Sequence, residues 1–191
     1  MDEQDLVRAL KAQQPIAVQE LARLYGDRLL RSAFLLCGNA TDAEDIVQET
    51  FLQAIRSAHR FKGRSTLYTW LHSILLNLSR HYHRDRKWLI CDDTLARHES
   101  PVVEETASQI DMEATSTAIT QALQRLTAQH REVLILRYYE DLKLHEIATR
   151  LDVSTGTVKS RLHYAIGEMQ KMLPAEMNLF GNHVTEEIEA P

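Results

Sequence analysis

Apolar residues recur at intervals of three and four along most of this chain, and this periodicity constrains its fold more than any other feature. Such spacing places apolar side chains on one face of an α-helix. Only six glycines and four prolines interrupt the 191 residues, and no stretch alternates apolar and polar residues as a half-buried strand does. The sequence therefore predicts an all-α protein, long enough to bury the core of one domain or of two small ones.

Basic residues concentrate in one segment, although the net charge of the chain is −5. Residues 56–88 contain eight Lys or Arg against a single acid, Asp85. Aromatic rings and imidazoles lie between these cations: Phe61, Tyr68, Trp70, Tyr82 and Trp88, with His59, His72, His81 and His83. Alternating cations and flat rings suit nucleic acid, in particular unstacked bases. The alternative is a solvated helix whose aromatic rings enter a core.

Two helices are predicted ahead of the basic segment. The first includes Val18 to Leu36 and ends at Gly38–Asn39, where a left-handed residue is favoured. Thr41 and Glu44 have the spacing of a capping box and predict the start of the second helix. The polar face of the second helix is predicted to consist of Asp42, Asp45, Gln48, Glu49 and Leu52.

The basic segment itself is predicted to contain a loop followed by a third helix. The loop, Phe61–Thr66, has a glycine, small hydroxyl residues and two cations, and Ser65 or Thr66 is expected to cap the helix. Trp70 lies on the apolar stripe of that helix, so we expect it in the core rather than as a stacking surface. The outer face of the helix is predicted to carry Thr69, Ser73, Asn77, Arg80 and Arg84.

The chain loses its helical periodicity twice. After Trp88 the stretch Cys91–Glu113 is acidic, polar and broken by Ser100–Pro101, which predicts a flexible interdomain linker. After Pro174 the tail is acidic and largely without pattern.

The two cysteines indicate neither disulfides nor a metal site. Cys37 and Cys91 have no metal-ligand spacing, and Cys37 is expected to be a small core residue. The sequence has no recognisable signal peptide and no apolar run of about 18 residues that would span a membrane. A reducing, cytoplasmic location is therefore expected, with no cofactor and no membrane contact except through a partner.

The clearest motif lies near the end of the chain. Leu144, Ile147, Ala148 and Leu151 suit a short helix, followed by a turn and a longer helix that Ser154 caps. This spacing predicts a helix-turn-helix, and an ordinary helical hairpin is the alternative. The outward residues of the second helix, which can reach base edges and phosphates in a major groove, are Thr157, Lys159, Ser160, Arg161, His163 and Tyr164.

Three stretches together resemble the extracytoplasmic-function (ECF) sigma factors of bacterial RNA polymerase. They are Asp42–Phe51, Phe61–Leu71 with Asn77, and Glu146–Leu162. The resemblance covers roughly residues 15–172 and implies two small helical domains joined by a flexible linker. It implies a sigma region 2-like bundle at residues 1–88, an acidic linker at 89–113, a sigma region 4-like helix-turn-helix domain at 114–173 and an acidic tail at 174–191.

The resemblance also implies a role for each candidate site. Asp45, Gln48 and Glu49 would dock on the clamp helices of core polymerase. The minus-ten element, including a base flipped out during melting, would be bound by Phe61, Lys62, Arg64, Ser65, Asn77, Arg80 and Arg84. The duplex minus-thirty-five element would be read by the six outward residues of the recognition helix. Further implied partners are the polymerase flap and a cognate anti-sigma factor.

Several positions depart from the pattern of the family. Asp152 stands where the turn often has glycine, and Lys143 replaces the usual hydroxyl cap of the first helix of the motif. Tyr164 and Ile166 occupy positions where arginine is frequent, so the recognition helix is less basic than in many relatives. Aspartate tolerates a left-handed conformation, so the turn is expected to survive at some cost. The differences on the recognition helix concern promoter sequence and affinity rather than the fold.

Two other function classes fit part of the chain. A stand-alone helix-turn-helix regulator accounts for Leu144–Met172 but gives the aromatic and basic segment around Trp70 no role. A metal-dependent hydrolase would use Asp42, Asp45 and Glu49 or some of the nine histidines. These acids lie on one predicted helical face without converging partners, which disfavours an enzyme.

Overall fold

The computed structural model describes residues 2–89 and 107–174, and the side chains of residues 83–89 and 107–115 lie outside this description. The described residues contain helices and no strand, as the periodicity predicted. They form two compact units, one in each described range.

The N-terminal unit consists of four α-helices. They are α1 Glu3–Lys11, α2 Pro15–Cys37, α3 Ala40–Ser57 and α4 Leu67–Leu89, with a 3₁₀ turn at Ala58–Arg60. Helices α2, α3 and α4 pack on one another, and α1 packs against α2 and the 3₁₀ turn. The core is formed mainly by leucines, of which Leu21, Leu29, Leu67, Leu71 and Leu75 are completely buried.

The junction between α2 and α3 differs from the predicted one. Gly38 has a left-handed backbone (φ 74°), as expected, but the next helix starts at Ala40 rather than after a cap at Thr41. Asn39 is the cap, because its side-chain oxygen accepts a hydrogen bond from the Asp42 N–H at 3.1 Å. The cap therefore lies two residues before the predicted one at Thr41. Asn39 follows the glycine directly and binds a first-turn backbone amide that has no partner within the helix.

Two polar residues predicted to face outward or toward nucleic acid lie in the core instead. Asp42, predicted on the polar face of α3, is buried and accepts a hydrogen bond from the Tyr82 hydroxyl of α4. His72 is completely buried, with its Nε2 2.8 Å from the Ser32 hydroxyl of α2. Both carry hydrogen bonds between helices, which removes the cost of burying an unpaired polar group.

The other predictions for this unit are confirmed in full or in part. Thr66 caps α4, because its hydroxyl accepts the Thr69 N–H at 3.1 Å. Trp70, expected in the core, is only half-buried, and its ring packs 5.2 Å from that of Phe61. Cys37 is buried and its thiol donates to the Asn39 carbonyl at 3.3 Å.

The C-terminal unit consists of α5 Ala107–Arg125, α6 Ala128–Leu134 continuing as a π-turn at Ile135–Tyr139, α7 Leu144–Leu151 and α8 Thr155–Met172. Helix α8 packs on α6 and α7. Because α5 begins at Ala107, the last residues of the predicted linker are helical. The rest of that linker, Cys91 included, and the tail after Pro174 lie outside the described residues.

Arg131 ties α6 to the end of α5. Its guanidinium is buried and donates to the carbonyls of Leu123 at 2.9 Å, Gln124 at 3.2 Å and Leu126 at 3.2 Å. Leu123 and Gln124 belong to the last turn of α5, and Leu126 follows it. Carbonyls at a helix end lack the usual intrahelical amides, although the Leu123 carbonyl also accepts the Leu126 N–H at 3.1 Å. The Arg131 side chain therefore binds the carbonyls at the C-terminus of α5, and these carbonyls in turn compensate the buried charge of the guanidinium.

We expect Arg131→Met to destabilise the C-terminal unit by roughly 2–4 kcal/mol, because it removes a buried guanidinium that donates to three carbonyls at the end of α5. Hydrogen exchange over residues 119–136 measures the change without requiring that the whole chain unfold in one step. Arg125→Met, at an exposed position of α5, is the matched control and should leave exchange nearly unchanged. Equal exchange in both variants would contradict this role of Arg131.

No helix within residues 2–89 or 107–174 is long and apolar enough to cross a membrane. The same residues contain no group of three or more His, Cys, Asp or Glu that would hold a metal ion.

Candidate nucleic-acid interface

The basic loop between α3 and α4 presents its cations to solvent. Lys62, Arg64 and Ser65 are exposed, and Gly63 has a positive φ of 68° that a residue with a Cβ adopts only at a cost. Phe61 is different, because only 8% of it is exposed and Trp70 covers its ring. Phe61 therefore anchors the loop to the protein, while the side chains of Lys62, Arg64 and Ser65 lie at the surface of the loop.

The remaining residues predicted to bind the minus-ten element continue along α4. Asn77 and Arg80 are both exposed and lie three positions apart, which makes them neighbours on the helix surface. At a rise of about 1.5 Å per residue, Asn77 lies roughly 16 Å and Arg80 roughly 21 Å along the axis from Thr66. The residues predicted to bind the minus-ten element are therefore spread along a surface several nucleotides long and do not form one pocket. The side chain of Arg84 lies outside the described residues.

A cavity opens beside the loop. Its volume is about 320 Å³, and it lies between α1 and the loop. It is lined by Glu3, Gln4, Val7, Lys11, Phe61, Lys62, Gly63 and Ser65. Half of this lining comes from α1, a helix that the sequence patterns left unassigned, although Asp2 and the spacing of Leu6, Ala9 and Leu10 mark its start and its buried face.

The candidate docking face on α3 is a continuous stripe. Asp45, Gln48, Glu49 and Leu52 follow one another at intervals of three and four. Asp45 and Gln48 are exposed, whereas Glu49 is partly covered and lies 3.5 Å from Arg56 in an ion pair. Leu52 is 45% exposed, which gives the stripe an apolar end that the predicted docking set does not include.

The helix-turn-helix forms as the spacing predicted. Ile147, Ala148, Val158 and Leu162 are buried where α7 and α8 meet. The Ser154 hydroxyl caps α8 by accepting the Thr157 N–H at 3.1 Å. At the start of α7, Lys143 offers no acceptor; instead the Glu146 carboxylate accepts the Lys143 N–H at 2.8 Å. One half of a capping box thus replaces the missing hydroxyl cap.

All six residues predicted on the outer face of α8 lie at its surface to different degrees. Ser160, His163 and Tyr164 are exposed, whereas Thr157, Lys159 and Arg161 are partly covered. The Thr157 hydroxyl lies 2.9 Å from that of Ser154. Thr157, Ser160, Arg161 and Tyr164 follow at intervals of three and four and form one stripe, with Lys159 and His163 flanking it. Ile166, by contrast, is buried, so its position contributes nothing to the surface.

Tyr164 has an aromatic neighbour that the sequence did not reveal. It is 64% exposed, and its ring lies 6.3 Å from that of His130 on α6, with the two planes 16° apart. His163 contacts the same ring edge-on at 5.8 Å. His130 and Tyr164 are distant in sequence, so no local pattern indicated that they meet.

The comparisons with known proteins agree with both units. Residues 21–89 match the family model Sigma-70 region 2, and residues 122–171 match Sigma-70, region 4. The RNA polymerase sigma factor SigV of Bacillus subtilis is 33% identical over 147 residues, covering 76% of this chain and 84% of the relative. The ECF RNA polymerase sigma factor SigL of Mycobacterium tuberculosis is 33% identical over 150 residues, covering 76% and 82%. The chain belongs to the ECF sigma factors.

A solved structure supports the same assignment. The sigma factor RpoE of Bartonella quintana, in complex with the anti-sigma factor NepR, matches with a TM-score of 0.61 and 27% identity. The match covers 81% of this chain and 94% of that one.

The family models divide the candidate sites of this ECF sigma factor. The stripe on α3, the basic loop and the exposed face of α4 lie within the region 2 match, and the helix-turn-helix lies within the region 4 match. Helix α1 lies before the region 2 match, so the half of the cavity that it lines is outside the part that the family model describes.

The turn of the helix-turn-helix tolerates aspartate through a left-handed backbone. Asp152 has φ 55° and ψ 50°, the conformation that glycine adopts most easily. We expect Asp152→Val to destabilise the C-terminal unit by about 1–2 kcal/mol, because a β-branched residue is strained there, and Asp152→Gly to cause no loss. Hydrogen exchange over residues 144–172 compares the variants. Equal protection in the valine and glycine variants would contradict the expectation.

Proposed function

We propose that this ECF sigma factor directs core RNA polymerase to specific promoters through three surfaces. The stripe of Asp45, Gln48 and Glu49 docks on the clamp helices of the polymerase. The loop from Phe61 to Ser65, with Asn77, Arg80 and Arg84, binds the melted minus-ten element. The outer face of α8 reads the duplex minus-thirty-five element. The domain boundaries implied by the resemblance belong to the same proposal.

The observation that supports this proposal is that one chain carries two surfaces of different chemistry, each suited to a different form of nucleic acid. The loop combines exposed cations with an adjoining cavity, which suits single-stranded DNA and an extruded base. Helix α8 presents exposed polar and aromatic residues on a helix-turn-helix, which suits a major groove. A stand-alone regulator requires only the surface on α8. The basic loop therefore favours a sigma factor over such a regulator.

The protein acts as an initiation factor without chemistry of its own and works in the cytoplasm with the polymerase. An anti-sigma factor controls it by covering the polymerase-docking surfaces. The support for this control is the similarity to RpoE of Bartonella quintana, whose structure was solved with NepR. Any contact with a membrane takes place through that partner.

Run-off transcription tests the proposal. Purified core polymerase is incubated with a promoter library, with and without the protein. Transcripts that start at defined sites only when the protein is present are the expected result, and alignment of those sites gives the two promoter elements. Tight binding of an operator by the protein alone, without any such transcripts, would favour the regulator and exclude the docking role of α3.

A further inference from the structure

Helix α1 is fixed to the N-terminal unit by its own core. Leu6 is completely buried and Leu10 almost so, and Asp2 caps the helix by accepting the Asp5 N–H. Burial of two leucines removes a large apolar surface from water, which holds the short helix against the rest of the unit. The residues that α1 presents to the cavity therefore have defined positions.

Glu3 connects α1 to two other helices. One of its carboxylate oxygens accepts the N–H of Leu67, the first residue of α4, at 3.2 Å, and the other accepts the Tyr25 hydroxyl of α2 at 3.5 Å. Burial, and to a smaller extent the Glu3 carboxylate, raises the pKa of Tyr25, so the phenol keeps its proton at neutral pH. A carboxylate has about four acceptor sites, so two remain for a ligand in the cavity.

The cavity beside Glu3 has the chemical groups that a nucleotide requires. Phe61 and Val7 supply apolar surface, Lys11 and Lys62 supply cations for phosphate, and Glu3 supplies an acceptor. The volume of about 320 Å³ is at the lower end of the range for small-ligand sites, roughly 300–1,000 Å³. A single base with its sugar and phosphate belongs to the small end of that range.

We propose that Glu3 is a specificity-determining residue that selects the base extruded into this cavity. Its carboxylate accepts a hydrogen bond from the exocyclic amino group of cytosine, adenine or guanine. Thymine has no exocyclic amino group, and its single donor, the N3–H, lies between two keto oxygens that repel a carboxylate. This inference rests on the proposed binding of the melted minus-ten element by the loop. It adds that α1 forms the second wall of the site and disfavours thymine at one position.

The alternative role for Glu3 is purely structural, since it ties α1 to α4. The two roles differ in what they change. Loss of a tether weakens binding to all four bases by the same factor, whereas loss of a selecting acceptor changes the ratio between them. Glu3→Gln separates the two, because the amide oxygen still accepts the Leu67 N–H, while an amide nitrogen that only donates replaces the oxygen next to the Tyr25 hydroxyl.

The test uses the holoenzyme and fork-junction DNA. Each position of the single-stranded minus-ten element, as defined by run-off transcription, carries each of the four bases in turn, and the Kd is measured for every probe. We expect one position at which the unmodified protein binds an amino-bearing base about tenfold more tightly than thymine, close to 1.4 kcal/mol. In Glu3→Gln this ratio should fall to about twofold or less.

Three control variants accompany Glu3→Gln. Leu6→Ala loosens α1 without removing the carboxylate and should weaken binding of all four bases alike. Tyr25→Phe removes one donor to Glu3 and should leave the ratio unchanged. Glu20→Gln makes the same chemical change on α2, where Glu20 pairs with Arg23, and should have no effect.

Lys62→Ala separates failure of the inference from failure of the proposed function. If Lys62→Ala weakens binding but Glu3→Gln leaves every base ratio unchanged, the loop binds DNA and Glu3 does not select the base. If Lys62→Ala has no effect on binding or promoter opening, the loop does not bind the minus-ten element, and the selecting role of Glu3 is excluded with it.

Discussion

The double substitution Asp45→Lys with Gln48→Lys is expected to weaken holoenzyme formation by about 100-fold or more. Both residues are exposed on the docking stripe of α3, and both lie outside the core. We expect the proposed partner surface on the clamp helices to be basic, so two added cations would replace attraction by like-charge repulsion, which costs several kcal/mol at an interface. Competition binding to core polymerase measures the loss.

The matched control is Gln19→Lys with Asp27→Lys. These two residues are exposed on α2, and the substitutions change the net charge by the same amount. They should leave polymerase binding within about twofold of the unmodified protein, because exposed substitutions away from an interface have small effects. An equal loss of polymerase binding in both double variants would show that the net charge of the protein determines the effect and that the stripe on α3 is not the docking site.

The second large effect is expected on the recognition helix. Lys159→Ala with Arg161→Ala should reduce transcription from a promoter that depends on its minus-thirty-five element by roughly 10–100-fold. If both residues contact phosphates, the log-log slope of DNA binding against salt should fall by about 1.8, since each phosphate contact contributes about 0.9. A salt series of holoenzyme binding to duplex promoter DNA measures the slope, and run-off transcription measures the activity.

The control for this pair is Lys171→Ala. Lys171 lies on the same helix but in its last turn, where it pairs with Glu168 at 2.7 Å. The hydrogen bond from Lys171 lowers the pKa of Glu168, and the charge of His130 contributes less. Lys171→Ala should leave both the salt slope and the transcript yield nearly unchanged. A reduction similar to that of the double variant would place the DNA contact elsewhere on α8.

The aromatic neighbour of Tyr164 bears on promoter choice. The family resemblance implies that arginine is frequent at the position of Tyr164, so the recognition helix has one cation fewer than in many relatives. The structure shows that His130 of α6 lies against the exposed ring. Two imidazoles therefore lie beside the tyrosine, whose exposed ring offers a flat surface and a hydroxyl to a groove.

The sequence by itself determined most of the helices and the helix-turn-helix, because both depend on local signals. Apolar residues at intervals of three and four must share one face of a helix, and Gly38, Thr66 and Ser154 end or begin helices through their own backbone or side chain. The outer faces of α3 and α8 follow from the same periodicity. Their roles as docking and DNA-binding surfaces remain predictions that rest on the family.

Only the tertiary structure decided which polar residues are paired inside the protein and which elements meet at the candidate site. Asp42 fits the periodicity of a surface residue, and His72 is a polar side chain within a basic segment, but Tyr82 and Ser32 on neighbouring helices give them buried partners. Glu3 meets Leu67 across 64 positions of sequence, and His130 meets Tyr164 across two helices. Such contacts depend on how helices pack, and no local pattern encodes the packing of residues so far apart.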